Sequence, residues 1–407
     1  KAQILKLKIR LLKIKQPQIR KEVEMAGFGF SEAQEMFRTE VRNFVQREIA
    51  PGANERATWD YIPRDLIKKV GDAGLLGVAI PEKYGGQGSD WVSAGIGIEE
   101  IARADFALSI YSMCAQIAYL FLQSATPELQ EEQVPPVARG DKIAGFSLTE
   151  PDAGSDTAAI KTQAIRDGDY YILNGEKTAF SYGAYADYAM LFAKTDPAAG
   201  ARGVTAFYLP LDLPGLEKSH YSYMGMKAQG HISLTLDNVR LPARYRASDE
   251  GKGFYVGMGN FEFMRPSLGL TALGHAQTAL EEAIDYIKQR TAFGRPIAKF
   301  EGVSFKIAEH ATRIEAARLL CYRTIYMKDQ GLVHTKEASM CKWWCPVVAV
   351  DAIHDCLLLF GQVGYSEEYP IQQRLKETLG LEIADGTAQI QKTVIAREII
   401  GKEFRAY

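Results

Sequence analysis

The spacing of apolar and polar positions changes period several times along the chain. LKLKIRLLKIK over residues 5–15 alternates apolar with basic residues, a strand-like period of two. From Phe30 the period becomes helical. Ser31 with Gln34 reads as a capping box, and Phe37, Val41, Phe44 and Val45 fall on one apolar stripe that Pro51 ends. Further helical segments are expected at 63–73, 91–104 and 106–123, with the turn-rich PEKYGGQG at 81–88 between the first two. The part up to residue 145 therefore reads as mainly helical.

From Gly145 to Leu241 the pattern is that of strands. YYIL (170–173), VTAFYLPL (204–211) and HISLTLDNVRLP (231–242) are β-rich runs, and Asp167-Gly168 and Asn174-Gly175 are hairpin-turn signals. After Gly253 long helices are expected at 264–291, 298–330, 336–360 and 388–403. Their Ala- and Leu-rich faces recur at three- and four-residue spacing, as an antiparallel bundle requires. The expectation is an α+β chain in four parts: a basic extension (1–26), a helical domain (27–145), a β domain (146–250) and a helical bundle (251–407). No internal repeat occurs, and no G-x-G-x-x-G follows a strand, so a nicotinamide Rossmann fold is unsupported.

Composition adds exclusions. The 407 residues are 47% hydrophobic and 24% charged with a net charge of −2, so no global field recruits nucleic acid or an anionic membrane. An anionic substrate must be held by local groups. Cys114, Cys321, Cys341, Cys345 and Cys356 have no disulfide-framework spacing, which points to a reducing compartment. Cys341 and Cys345 share a helix face, but only His354 and Cys356 lie near enough in sequence to complete a zinc site, so buried thiols are expected. The first 24 residues are Lys/Arg-rich and lack the apolar run and cleavage site of a secretory signal. A peripheral arm is the leading reading, and anionic membrane contact the weaker one. No stretch approaches the ~20 apolar residues of a membrane-spanning helix. The expected location is a bacterial-type cytoplasm, with the mitochondrial matrix second.

Four segments carry a more specific signal: SLTEPDAGSD (147–156), GEKTAFSYG (175–183), RTAFGRPI (290–297) and IADGTAQIQ (383–391). In this order and at domain-sized intervals they resemble the acyl-CoA dehydrogenase family, over residues 27 to 404 or thereabouts. The resemblance implies a helical domain, a β domain and a C-terminal four-helix bundle, with FAD between the last two and a neighbouring subunit closing over its diphosphate. Thr149 and Ser155 match positions that hydrogen-bond the flavin and its phosphates, work that hydroxyl donors suit. Ser155 could also be a turn residue. Arg290 and Phe293 match the element reaching an adjacent subunit's FAD, a guanidinium being able to grip a diphosphate bidentately. The bland reading of Arg290 is a helix-end charge. Thr387 and Gln389 match positions on the adenosine side. The implied assembly is at least a dimer and usually a homotetramer, and the implied electron acceptor is electron-transferring flavoprotein.

The chain departs from the family in places. Ala179 stands where a Trp beside the flavin is common, which leaves Phe180 or Tyr182 to pack there instead. Ser181 replaces a Thr and keeps the hydroxyl that can donate to the flavin's reactive nitrogen. FGQVGY (360–365) replaces a Gly-Gly pattern, and Leu358 replaces a frequent cofactor-contacting Gln. His231 lies where a CoA-side hydroxyl residue is frequent, and is expected to be an ordinary surface or turn His. Arg265 is expected in an internal ion pair.

The family's reaction removes the proton beside a thioester while hydride leaves the next carbon. Donors on the thioester oxygen, a flavin hydroxyl and the base residue's own N–H, stabilise the enolate-like charge. Asp385 occupies the position of the usual Glu, with Ala384 in place of an aromatic residue. Its carboxylate is drawn back by about 1.5 Å, one methylene. The competing reading is a helix-capping or turn-forming Asp. Asp105, in EEIARADFALS (99–109), matches the acyl end of the pocket, where a desolvated carboxylate would be a second candidate base. A pair with Arg103 or a helix cap is the alternative. Two acids at one pocket resemble the dehydrogenases of cyclohexane- and cyclohexene-carboxyl-CoA, the latter by 1,4-elimination. The rivals are an ordinary short- or branched-chain acyl-CoA dehydrogenase, a same-fold flavin oxidase, and a catalytically silent acyl-CoA- or flavin-binding protein.

Overall fold

The computed structural model describes residues 29–404; the basic extension, with its strand-like alternation, lies outside them. Ser31 caps α1 (Glu32–Phe44) reciprocally: its Oγ accepts from Gln34 N at 3.3 Å, and Gln34 Oε1 accepts from Ser31 N at 3.0 Å. The apolar stripe of that helix is buried, and one π-helical turn (Val45–Ile49) ends it before Pro51. The helical domain continues with α2 (Ala53–Arg56), α3 (Arg64–Asp72), α4 (Trp91–Ala102), α5 (Phe106–Leu122) and α6 (Pro127–Ala138). α6 was not among the expected helices. Thr126 caps it and Pro127 opens it, the usual start signal, but Pro135 and Pro136 inside it disguise its period.

The β domain is a seven-stranded sheet of β1 (Ala144–Ser147), β2 (Gln163–Asp167), β3 (Tyr170–Phe180), β4 (Tyr188–Lys194), β5 (Val204–Pro210), β6 (Leu216–His220) and β7 (Ile232–Pro242). The order is β1-β4-β2-β3-β7-β6, with β5 on β4. Asp167-Gly168 does turn the chain between β2 and β3. Asn174-Gly175 does not. It lies inside β3, where the register against β7 slips between Leu173 and Gly175. A Cβ on Gly175 would meet Thr162 Oγ1 at 2.6 Å, so this glycine serves close backbone approach and not a hairpin.

The C-terminal domain opens with α7 (Gly253–Gln289), which starts well before the expected residue 264 and runs through Pro266. The glycines that hid its first turns let it lie against the sheet. A Cβ on Gly253 would meet Ala206 N at 2.4 Å, and one on Gly257 the Phe192 ring at 3.1 Å. A short hairpin, β8 (Thr291–Ala292) and β9 (Arg295–Pro296), precedes α8 (Glu301–Asp329), α9 (Thr335–Phe360), α10 (Gln362–Tyr365), α11 (Ile371–Gly380) and α12 (Ala388–Ile400). α11, too, was not expected. α9 is long and apolar enough to cross a membrane by length and composition, contrary to the sequence reading. Here it packs against α7, α8, α11 and α12 as the central helix of the bundle. All five cysteines are free and buried, and no group of three or more potential metal ligands forms among the described residues.

Candidate active site

Asp385 sits on the link between α11 and α12. Ile383 N and Ala384 N both turn back to Gly380 O, after which Asp385 takes a left-handed backbone with φ 57° and Gly386 follows at 97°. Asp tolerates this region better than most residues, but the conformation still costs energy that the surroundings must hold. The helix-cap reading fails, because Thr387 caps α12 through Ile390 N. Among the described residues the Asp385 carboxylate makes no hydrogen bond or ion pair, and its backbone N–H finds no acceptor.

Three helices bring groups towards this carboxylate. Burial raises its pKa, while Lys342 on α9 and Arg265 on α7 pull it back down. Lys342 is fully buried, donates to Leu381 O at 2.7 Å, and is pushed down to about 8 by burial against the opposing pull of Asp385. Arg265 is buried with its guanidinium 5.3 Å from the Phe261 ring centroid and its Nε unpartnered. It forms no ion pair with a described residue, so the expected internal pair is corrected. Cys114 on α5 is pushed up to about 12, by burial and then by the charge of Asp385.

Asp105 is differently employed. It is the N-cap of α5: Oδ1 accepts from Leu108 N at 3.0 Å, and Oδ2 accepts from Arg56 Nε at 3.1 Å and Nη2 at 3.0 Å. Arg56 is fixed in turn by the carbonyls of Ile49 and Pro51. Arg103, the partner first considered, reaches Glu281 at 2.6 Å instead. A base needs a free lone pair near the substrate. Asp105 is therefore a helix cap and the ion-pair partner of Arg56, and its Oδ1 keeps a further lone pair on the cavity side of α5.

Beside Asp105, on a narrow cavity, lies a carboxyl that sequence reasoning missed. Glu377 on α11 is pushed up to about 8 by burial. It accepts from Gln373 Nε2 at 3.2 Å and lies 3.8 Å from His275, itself pushed well down by burial. Nothing in LKETLG separates this Glu from a solvent-facing one.

The β domain supplies a second cluster. Thr149 is half-buried, and its carbonyl accepts from Thr178 N at 2.9 Å. The buried Lys177 donates to Leu148 O at 3.0 Å and Glu150 Oε1 at 2.8 Å, pinning both neighbours of Thr149. Ser181 is half-buried, and its Oγ lies 3.1 Å from His231 Nε2. His231 is only 8% exposed, which corrects the surface reading. Ala179 and Tyr182 are left-handed, with φ 50° and 65°. Neither aromatic neighbour replaces the missing Trp wall: Phe180 is fully buried in the sheet's own core, and Tyr182 donates to Ala107 O at 3.0 Å.

The remaining candidates lie at the surface. Ser155 is exposed, and a Cβ on neighbouring Gly154 would meet nothing within 4 Å. Arg290, at the end of α7, is exposed and makes no side-chain bond to a described residue. Phe293 is 95% exposed at the tip of the β8–β9 hairpin, with φ 50°. Gln389 is exposed on α12, and Thr387 is half-buried. These residues fit FAD. Thr149, Ser155 and Ser181 offer hydroxyls from one domain, and the outward Arg290 and Phe293 suit a group held partly by another subunit.

The acyl-CoA dehydrogenase N-terminal, middle and C-terminal domain families match residues 31–141, 145–239 and 251–400. An acyl-CoA dehydrogenase of Bacillus subtilis is 38% identical, covering 91% of this chain and 99% of its own. A caffeyl-CoA reductase–Etf complex subunit of Acetobacterium woodii is 34% identical over 92% of this chain and 100% of its own. The butyryl-CoA dehydrogenase structure from Megasphaera elsdenii superposes with a TM-score of 0.88 at 33% identity, covering 92% and 99% of the two chains.

Proposed function

This chain belongs to the acyl-CoA dehydrogenase family and is an FAD enzyme of that family, and from that premise we propose that it oxidises an alicyclic acyl-CoA with Asp385 as its only base. The observation that carries the proposal is the state of Asp385: a strained position, a carboxylate without a partner among the described residues, and two buried cations that act on it. Free lone pairs let it take the proton beside the thioester. Lys342 and Arg265 oppose the burial that raises its pKa, and so favour the ionised form in which it acts. The unbonded N–H of Asp385 is a donor for the thioester oxygen, where negative charge develops. When bound, FAD would supply the hydride acceptor, and Thr149, Ser155 and Ser181, with Arg290 and Phe293 of a second copy, would hold it.

The ring preference rests on three small side chains. Ala384, Asp385 and Ala179 each replace a bulkier residue of the family pattern, making room beside the reacting carbons. A 1,4-elimination likewise needs one base for its single proton, and the clamp of Arg56 on Asp105 favours Asp385, beside the thioester, for that work. The reading therefore narrows to a saturated ring losing its α-proton and β-hydride. Homotetramer assembly is supported by the outward Arg290 and Phe293, and an electron-transferring flavoprotein as acceptor by the Etf-complex relative.

Anaerobic titration of the FAD-loaded protein, reading flavin bleaching, tests this. Cyclohexanecarboxyl-CoA should bleach it faster than cyclohexenecarboxyl-CoA, butyryl-CoA or octanoyl-CoA. Butyryl-CoA fastest would replace the proposal with a short-chain enzyme. Bleaching by none points to a silent binding protein, and peroxide formation in air to an oxidase.

A further inference from the structure

The pairing of His231 with Ser181 was invisible in sequence, since fifty residues separate them. It is built by the exit of β3. The register against β7 slips between Lys177 and Phe180, and Tyr182 N and Ala184 N then bond the carbonyls of Gln229 and Gly230. Those bonds fasten the turn before β7 to the end of β3 and set Ser181 Oγ and His231 Nε2 at 3.1 Å. The Tyr223 ring covers the imidazole, with centroids 4.4 Å apart. His231 Nδ1 is buried and has no partner among the described residues.

The partners decide the tautomer. If Nδ1 carried the proton, a buried N–H would go unpaired, a loss of about 1–3 kcal/mol. Ser181 would also have to spend its own proton on Nε2. If Nε2 carries it, His231 donates to Ser181 Oγ, and only a lone pair on Nδ1 is left without a partner, which buried sites tolerate better. A doubly protonated ring would again strand an N–H at Nδ1. Burial independently pushes this imidazole down to about 4, towards the neutral form. With Nε2–H donating, the Ser181 hydrogen must point elsewhere, and Ser181 Oγ has no other partner among the described residues.

We propose that His231 is a positioning residue for the flavin: it occupies a lone pair of the Ser181 hydroxyl and so presents the Ser181 proton to the cofactor. This rests on the FAD reading above. Losing His231 frees the hydroxyl to rotate, so the flavin should lose the direction of that hydrogen bond.

Two measurements test it. Nitrogen-15 NMR of His231, with or without FAD, should report the neutral Nε2–H tautomer; the Nδ1–H tautomer would overturn the proposal. In the FAD-loaded protein, His231→Phe should shift the flavin reduction equilibrium by roughly tenfold, about 30 mV for a two-electron couple. Ser181→Ala should shift it in the same direction, the double variant no further than Ser181→Ala, and His231→Gln, which keeps an N–H, should return most of the way. A shift in Ser181→Ala with none in His231→Phe, or fully additive shifts, would refute the link while leaving the enzyme assignment intact. A folded protein that takes up no FAD would defeat both. Should His231→Phe fail to fold, the NMR result and His231→Gln still decide.

Discussion

Asp105 and Asp385 are the two aspartates that the sequence puts forward, and the fold treats them in opposite ways. Asp105 begins a regular helix, caps it, and is clamped by Arg56, whose own donors are fixed by backbone carbonyls. Asp385 sits in a left-handed turn between helices, with no partner for its oxygens among the described residues. Its cations, Lys342 and Arg265, act on it without a direct bond. A carboxylate that stabilises structure is satisfied by neighbours. A carboxylate kept for proton transfer is left unsatisfied at a stored energetic cost, and only the surrounding field opposes the upward pull of burial on its pKa.

Exchanging each for Asn breaks the comparison most directly. Asp385→Asn should slow flavin reduction by acyl-CoA roughly a thousandfold, within the 10²–10⁴ range of a general base. FAD content and stability should hold, because the lost carboxylate had no bond to give up. Stopped-flow bleaching and a thermal melt read the two halves. Asp105→Asn should do the reverse. Asn caps as well as Asp, so the helix start survives, but Arg56 is left buried and unpaired at a cost of about 3 kcal/mol. Denaturant midpoints should fall while the rate stays within a few-fold. A collapse of rate in Asp105→Asn with little loss of stability would return Asp105 to the active site.

How much of this was legible follows from range. The capping box at Ser31, the Pro51 stop and the Asp167-Gly168 turn are local, and the sequence states them directly. Asn174-Gly175 misled because the same dipeptide serves a hairpin or a bulge, and only contact with Thr162 distinguishes them. The motif around Asp385 could be found because it is contiguous. The motif could not say that α9 and α7 would bury Lys342 and Arg265 beside it. One signal was available: Lys342 is a lone charge in the apolar stretch of α9. Arg56 and Asp105 are 49 residues apart, so the pair that decides the role of Asp105 had no local trace.

Lys342 sharpens the comparison further, with a smaller effect. The base works in its ionised form, and Lys342 is the larger of the two influences that favour that form against burial. Lys342→Met keeps the apolar stem and removes the charge, so the carboxylate ionises less readily and the acid limb of the rate–pH profile moves to higher pH. The difference should not persist at all pH values. Lys342 is itself pushed down to about 8, so above that the wild-type lysine is losing its proton and its influence. The two profiles should diverge below about pH 8 and converge above it. The variant also loses the bond to Leu381 O, which could lower the rate through loop geometry alone. That outcome would look different: a uniform drop at every pH with the midpoint unmoved. A profile of that kind, measured by stopped-flow reduction across pH, would make Lys342 a structural support of the loop and leave Arg265 as the cation that tunes Asp385.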